Sequence, residues 1–171
     1  MSKHEFIEAP AKTEPLGWWR HFSAEELGPR DAAQIRRALR RVSIFGEPGW
    51  PDAIRGVAAE AIGVAIRVAV KQSCAEPVVD VAMSAVAAAA IDGDAAAREF
   101  VAHMLMKRAA FDAAAATLAK SWIAANRAAA RAALCRGSPA DAVAAKPPHA
   151  LVRRLGSNEV SDVAVDVRAA G

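Results

Sequence analysis

Glu99 and His103 lie four residues apart, a spacing that puts a carboxylate and an imidazole on one face of a helix, within reach of a common metal ion. Glu60, Asp80 and Asp112 fall on other segments, and a carboxylate cluster inside a helical bundle can be drawn from all five. Bundle di-metal sites use Glu-x-x-His on two helices, however, and this chain has that spacing nowhere. With Arg98 beside it, the Glu99–His103 pair reads instead as a solvated ion pair, so no metal and no other cofactor is expected. Glu60 stands among apolar neighbours, where burial would raise its pKa unless a cation reached it. Arg67 and Lys71 follow it at spacings of seven and four, which makes the three a narrow polar strip at an exposed edge.

The phosphate-binding loop, the dinucleotide glycine pattern, the HExxH zinc motif, Cys-His zinc spacing and the serine nucleophile elbow are all missing from the sequence. Each absence speaks only for its own family. Together they make a non-catalytic protein the expectation, and an enzyme built on Glu60, Glu99 and His103 the least supported alternative.

Two kinds of residue cluster suit binding. Trp18, Trp19, Arg20 and Phe22, with His21 between them, form the densest aromatic run. Tryptophan and arginine are enriched at interface hot spots, so these four are candidate partner-binding residues. The competing reading is a hydrophobic staple that folds back on the bundle just before the helix cap at Ser23. Arg36, Arg37, Arg40 and Arg41 cover a broad face of one helix opposite Ile35, Leu39 and Val42, and Arg127, Arg131 and Arg136 add a second basic group. Such faces can neutralise phosphates, with salt-sensitive binding, or can simply be solvated. The stretch around Ala115, Ala119 and Ser121 lacks the turn glycine of a helix-turn-helix.

These side chains have to be carried by helices. Ser23 followed by Glu26 is a capping box that should open a short turn. Gly28-Pro29 starts a helix expected to run to about Phe45, and Gly46-Glu47-Pro48-Gly49 is a loop. A second helix is expected from Pro51-Asp52 to about Cys74. It is apolar almost all round and therefore buried, with Gly56 and Gly63 marking close approach to another helix. A third runs from Val78 to Ile91, with Asp80 in its first turn. Asp92-Gly93-Asp94 stops that helix and caps the next. From Ala95 to Cys135 there is no proline or glycine, which means one long helix or two with a hidden break. Phe100, Met104, Phe111, Leu118 and Trp122 form an apolar stripe along it.

Composition agrees with these elements. The chain has 171 residues and is 54% hydrophobic, about a quarter of it alanine, which forms helix well but buries little area. A thin core is expected, with a few bulky side chains providing most of the burial. The net charge of +3, a pI near 9.2 and the excess of arginine over lysine are mildly basic. With so much alanine, they suggest a GC-rich bacterial gene more than a nucleic-acid signature. Cys74 and Cys135 lack metal or disulfide spacing. The first residues lack the apolar region of a signal peptide, and the most apolar window, 53–70, contains Arg55, Glu60 and Arg67. A cytoplasmic location without membrane association is the expectation.

The fold expected is all-α: a single alanine-rich bundle of four to five helices over residues 18–137. A loose leader (1–17) precedes it, and a mobile, weakly structured tail (138–171) follows. The expected function is non-catalytic protein–protein interaction or regulation, with a protein partner or a second copy of the chain as a homodimer. The alternative is a nucleic-acid accessory role using Arg36, Arg37, Arg40, Arg41, Arg127 and Arg131.

Overall fold

The computed structural model describes residues 14–73 and 75–136. Among them are a 3-10 turn (Trp18–Arg20) and six α-helices, with no strand: α1 (Pro29–Leu39), α2 (Trp50–Arg55), α3 (Ala58–Lys71), α4 (Pro77–Ile91), α5 (Ala95–Arg108) and α6 (Ala113–Arg136). The expected tail lies outside the described residues, as does the expected leader up to residue 13. At the leader's end, Leu16 packs on the core and the Gly17 N–H donates to Ser84 Oγ at 3.0 Å.

α4 is the central rod. Val79, Met83 and Val86 are wholly buried, and so is the run Ala87–Ala90 to within 3%. α1, α3, α5 and the 3-10 turn pack around it. Its alanines let neighbouring backbones approach closely, while Trp19, Trp122, Ile35, Leu39, Met104 and Leu105 fill the remaining space. Central burial of the third expected helix therefore holds.

Three boundaries differ from expectation. The first helix stops at Leu39 instead of near Phe45, where β-branched Val42 and Ile44 flank Ser43, poor helix formers all. The Val42 carbonyl instead accepts the indole N–H of buried Trp50 at 3.1 Å, which folds the loop back. The second expected helix is two helices. Gly56 takes φ +101° and ends α2, so it marks a corner as well as a close approach. A Cβ built there would sit 3.3 Å from the Arg36 guanidinium. Gly56→Ala is expected to cost about 1–2 kcal/mol, seen as a lower urea midpoint at unchanged m value.

The 95–135 segment is likewise two helices. Asp112 makes the break, as a side chain that competes with helical backbone bonds. Its carboxylate accepts the Ala114 N–H at 3.2 Å and Arg108 Nε at 3.1 Å, and the Arg108 guanidinium lies 5.3 Å from the centre of the Phe111 ring. The Arg108 hydrogen bond, foremost, holds this carboxyl below the usual aspartate range. The result is a helical hairpin, so the expected Phe-Met-Trp stripe is not continuous. Met104 and Trp122 are buried on different helices, while Phe111 is 60% exposed at the turn.

The second expected helix is not buried all round, since Ile66 and Val70 of α3 are exposed, and Gly63 meets only the Arg67 side chain of its own helix rather than a neighbouring one. Several cap signals hold. Ser23 N–H donates to the Glu26 carboxylate at 2.7 Å, Pro29 opens α1, and Asp94 caps α5 through the Ala97 N–H at 2.7 Å. No helix among the described residues is long and apolar enough to cross a membrane.

Candidate functional site

Trp18, Trp19 and Phe22 are buried, with Trp18 and Phe22 edge to face at 6.0 Å. Their apolar area is committed to the chain's own core, the arrangement the staple reading describes. Arg20 is held as well. Its Nη1 lies 2.7 Å from Asp80 Oδ2, and its Nε donates to His21 Nε2 at 3.2 Å. Burial, aided by the Arg20 and Arg108 charges, lowers the His21 pKa, and the neutral ring is the form that accepts from Arg20.

Burial pushes the Asp80 carboxyl up, against the opposing pull of Arg20, Arg108 and the Trp19 indole. A raised folded pKa means that the folded chain holds this proton to higher pH than the unfolded one. The associated stability is full below the unfolded value, about 3.9, and is lost as pH rises through the folded value. Asp80→Asn removes that dependence. Its melting temperature relative to wild type is therefore expected to rise between acid and neutral pH, measured by thermal melts across the range.

The α1 arginines separate. Arg36 pairs with Asp92 and turns to the Ala88 carbonyl. Arg37, Arg40 and Arg41 stay exposed, without ion-pair partners among the described residues. Arg37 and Arg41 line an open cleft of about 300 Å³ with Pro15, Gln34 and Ala38. Arg127 and Arg131 are exposed on α6, whose main packing partner is α5, whereas α1 packs chiefly on α4. The two basic groups therefore belong to different parts of the bundle.

Glu60 lies on α3 with its carboxylate against Gly49. The cations expected beside it serve a different acid. Glu47, 8% exposed and in the loop, takes Arg67 Nε at 2.7 Å and has Lys71 Nζ at 3.7 Å. Glu47 was not singled out in the sequence, because a loop carries no periodicity to place it beside α3.

His103 and Glu99 project from the outer face of α5, between clefts of about 420 Å³ toward α6 and 320 Å³ toward α3. A further 260 Å³ cleft places His103 near Val70 and Lys107. Large apolar side chains stand exposed around them: Ile66 at 47%, Val70 at 82%, Met106 at 52% and Ile123 at 36%. No three His, Cys, Asp or Glu side chains converge as metal ligands among the described residues. What the face offers is exposed apolar area with a polar rim.

The outward side of α5, on which Glu99, His103, Met106 and Lys107 are exposed and Phe100 is half-buried against the core, has a further property. Counting from His103, Glu99 is four residues before and Lys107 four after, while Phe100 is three before and Met106 three after. Neither Glu99 nor Lys107 has an ion-pair partner among the described residues. All five positions fall within one helical stripe. Acid mirrors base, and apolar mirrors apolar. The sequence contained this signal, but it becomes meaningful only once the face is known to be outward.

Among the described residues the fold is helical throughout, with no strand. No protein-family model, no curated protein and no solved structure matches the chain.

Proposed function

We propose that this chain is a non-catalytic helical interaction protein that pairs with a second copy of itself through the outer face of α5. The mirrored order Glu99, Phe100, His103, Met106, Lys107 carries the reading. A two-fold dimer must be self-complementary, with each residue i meeting j and each j meeting i. Antiparallel packing of α5 on α5 about His103 sets Glu99 of each copy against Lys107 of the other, and Phe100 against Met106. The clefts toward α3 and α6 receive the partner's side chains, and Ile66, Val70 and Ile123 widen the apolar area.

Sedimentation equilibrium of the full chain at micromolar concentrations tests the reading. The expected result is a two-chain species that dissociates on dilution. A single-chain mass throughout the range would refute it.

A further inference from the structure

We infer that the exposed side of α1 is a binding site for the phosphate backbone of single-stranded nucleic acid, independent of the α5 face. Arg30, Gln34, Arg37 and Arg41 follow spacings of four, three and four, which aligns them on one stripe of the helix and its closing turn. All four are exposed, and none of the three arginines has an ion-pair partner among the described residues. From Arg30 to Arg41 the stripe spans about 16 Å at the helical rise. The cleft between Arg37 and Arg41 is lined by Gln34, Ala38 and Pro15 and by no carboxylate. Of the nearby acids, Asp31 accepts the Gly28 N–H at 2.8 Å and Asp92 takes Arg36, while exposed Glu14 stands one residue before Pro15 at the cleft's rim. Guanidinium forks with an amide donor between them suit phosphate oxygens.

Phe45 selects the single strand. Its ring is completely exposed, at 103%, four residues past Arg41. It is therefore within about 14 Å of that arginine along the chain. A base already stacked in a duplex cannot use this ring, whereas an unpaired base can stack on it while its phosphates follow the arginines. A lipid surface fits less well. The apolar residues of α1, Ile35 and Leu39, are fully buried, so no apolar helix face accompanies the stripe.

Fluorescence anisotropy of the full chain with a labelled oligothymidine, a duplex of equal length and vesicles containing phosphatidylserine tests the assignment. The oligothymidine should bind more tightly than the duplex. Three phosphate contacts should weaken that binding about 20-fold between 50 and 200 mM salt. The double variant Arg37→Gln/Arg41→Gln should weaken it about tenfold or more and flatten the salt slope. Phe45→Ala should weaken the single strand about fivefold or more and leave the duplex unchanged. Circular dichroism should find each variant as helical as wild type, since all three positions are exposed. Any of three results overturns the site: no oligothymidine binding at low salt, binding indifferent to the arginine substitutions, or vesicle binding without oligothymidine binding. Equal single-strand and duplex affinity with Phe45→Ala inert overturns the single-strand assignment.

Discussion

Replacing Trp19 by alanine is expected to destabilise the fold by about 3–5 kcal/mol, a large share of the roughly 5–15 kcal/mol that holds a domain of this kind together. Trp19 is 0% exposed, in a core whose central helix is largely alanine. Alanine side chains have no rotamers with which to move into a vacated space, so the cavity left by the indole stays open and its lining loses contacts outright. The 3-10 turn that carries Trp19 is fastened at both ends, by the Gly17 N–H on Ser84 and by Arg20 on Asp80, which further limits collapse. Trp19→Phe isolates the cause. The Trp19 indole N–H makes no hydrogen bond of good geometry. Phenylalanine keeps most of the apolar area and gives up only the indole's weak pull on the Asp80 carboxyl, so its cost should stay below about 1.5 kcal/mol. Urea denaturation of the three proteins, followed by circular dichroism, gives both values. A loss under about 1 kcal/mol for Trp19→Ala would show that the aromatic run is peripheral to the core, contrary to its burial.

Met106→Glu is expected to abolish self-association while leaving the monomer folded. Met106 is 52% exposed on α5, so the isolated chain accommodates the charge in water. In a two-fold pair the same change enters twice. At about 2 kcal/mol per copy for a residue near the centre of an interface, the dissociation constant rises about a thousandfold. The charges give an orthogonal check. Glu99→Lys would set lysine against Lys107 of the second copy at both ends of the contact and should weaken pairing about tenfold. Adding Lys107→Glu restores opposite signs and should recover affinity close to wild type. Sedimentation equilibrium reads all three variants. Rescue by the double exchange is specific to antiparallel packing about His103, because no arrangement that keeps these two residues apart produces it. A dimer that survives Met106→Glu would place the contact on another surface.

Much of the fold was legible in residue order because its signals are local. Pro29 at a first helical position, the Ser23–Glu26 box and the Asp94 cap each act through bonds spanning three or four residues, and each marks a real boundary. The nearly unbroken apolar run of 78–91 required burial, and α4 is buried. The arginine-rich face of α1 was visible as well, although the run of four included Arg36, which an ion pair removes, and omitted Arg30, which helical spacing adds.

What depended on distant partners was not legible. The chain from Pro51 to Cys74 reads as one helix until the corner at Gly56 carries α3 to α4. A glycine in a helical pattern signals a break and a close approach equally well, and only the neighbours decide between them. The turn at Asp112 is similar, since an aspartate can point outward from a helix or cap a new one, and Arg108 beneath it settles the choice. Tertiary structure also buried the Glu47 and Asp80 carboxylates and withdrew Trp18, Trp19 and Phe22 into the core. It left Ile66, Val70 and Met106 outside. Residue order by itself determined that the chain forms helices and where most of them begin, because capping and periodicity act within a few residues. Which greasy faces are covered, and therefore which remain to bind, was decided only by packing. Burial is a property of the neighbours a side chain meets, and those neighbours come from far along the chain.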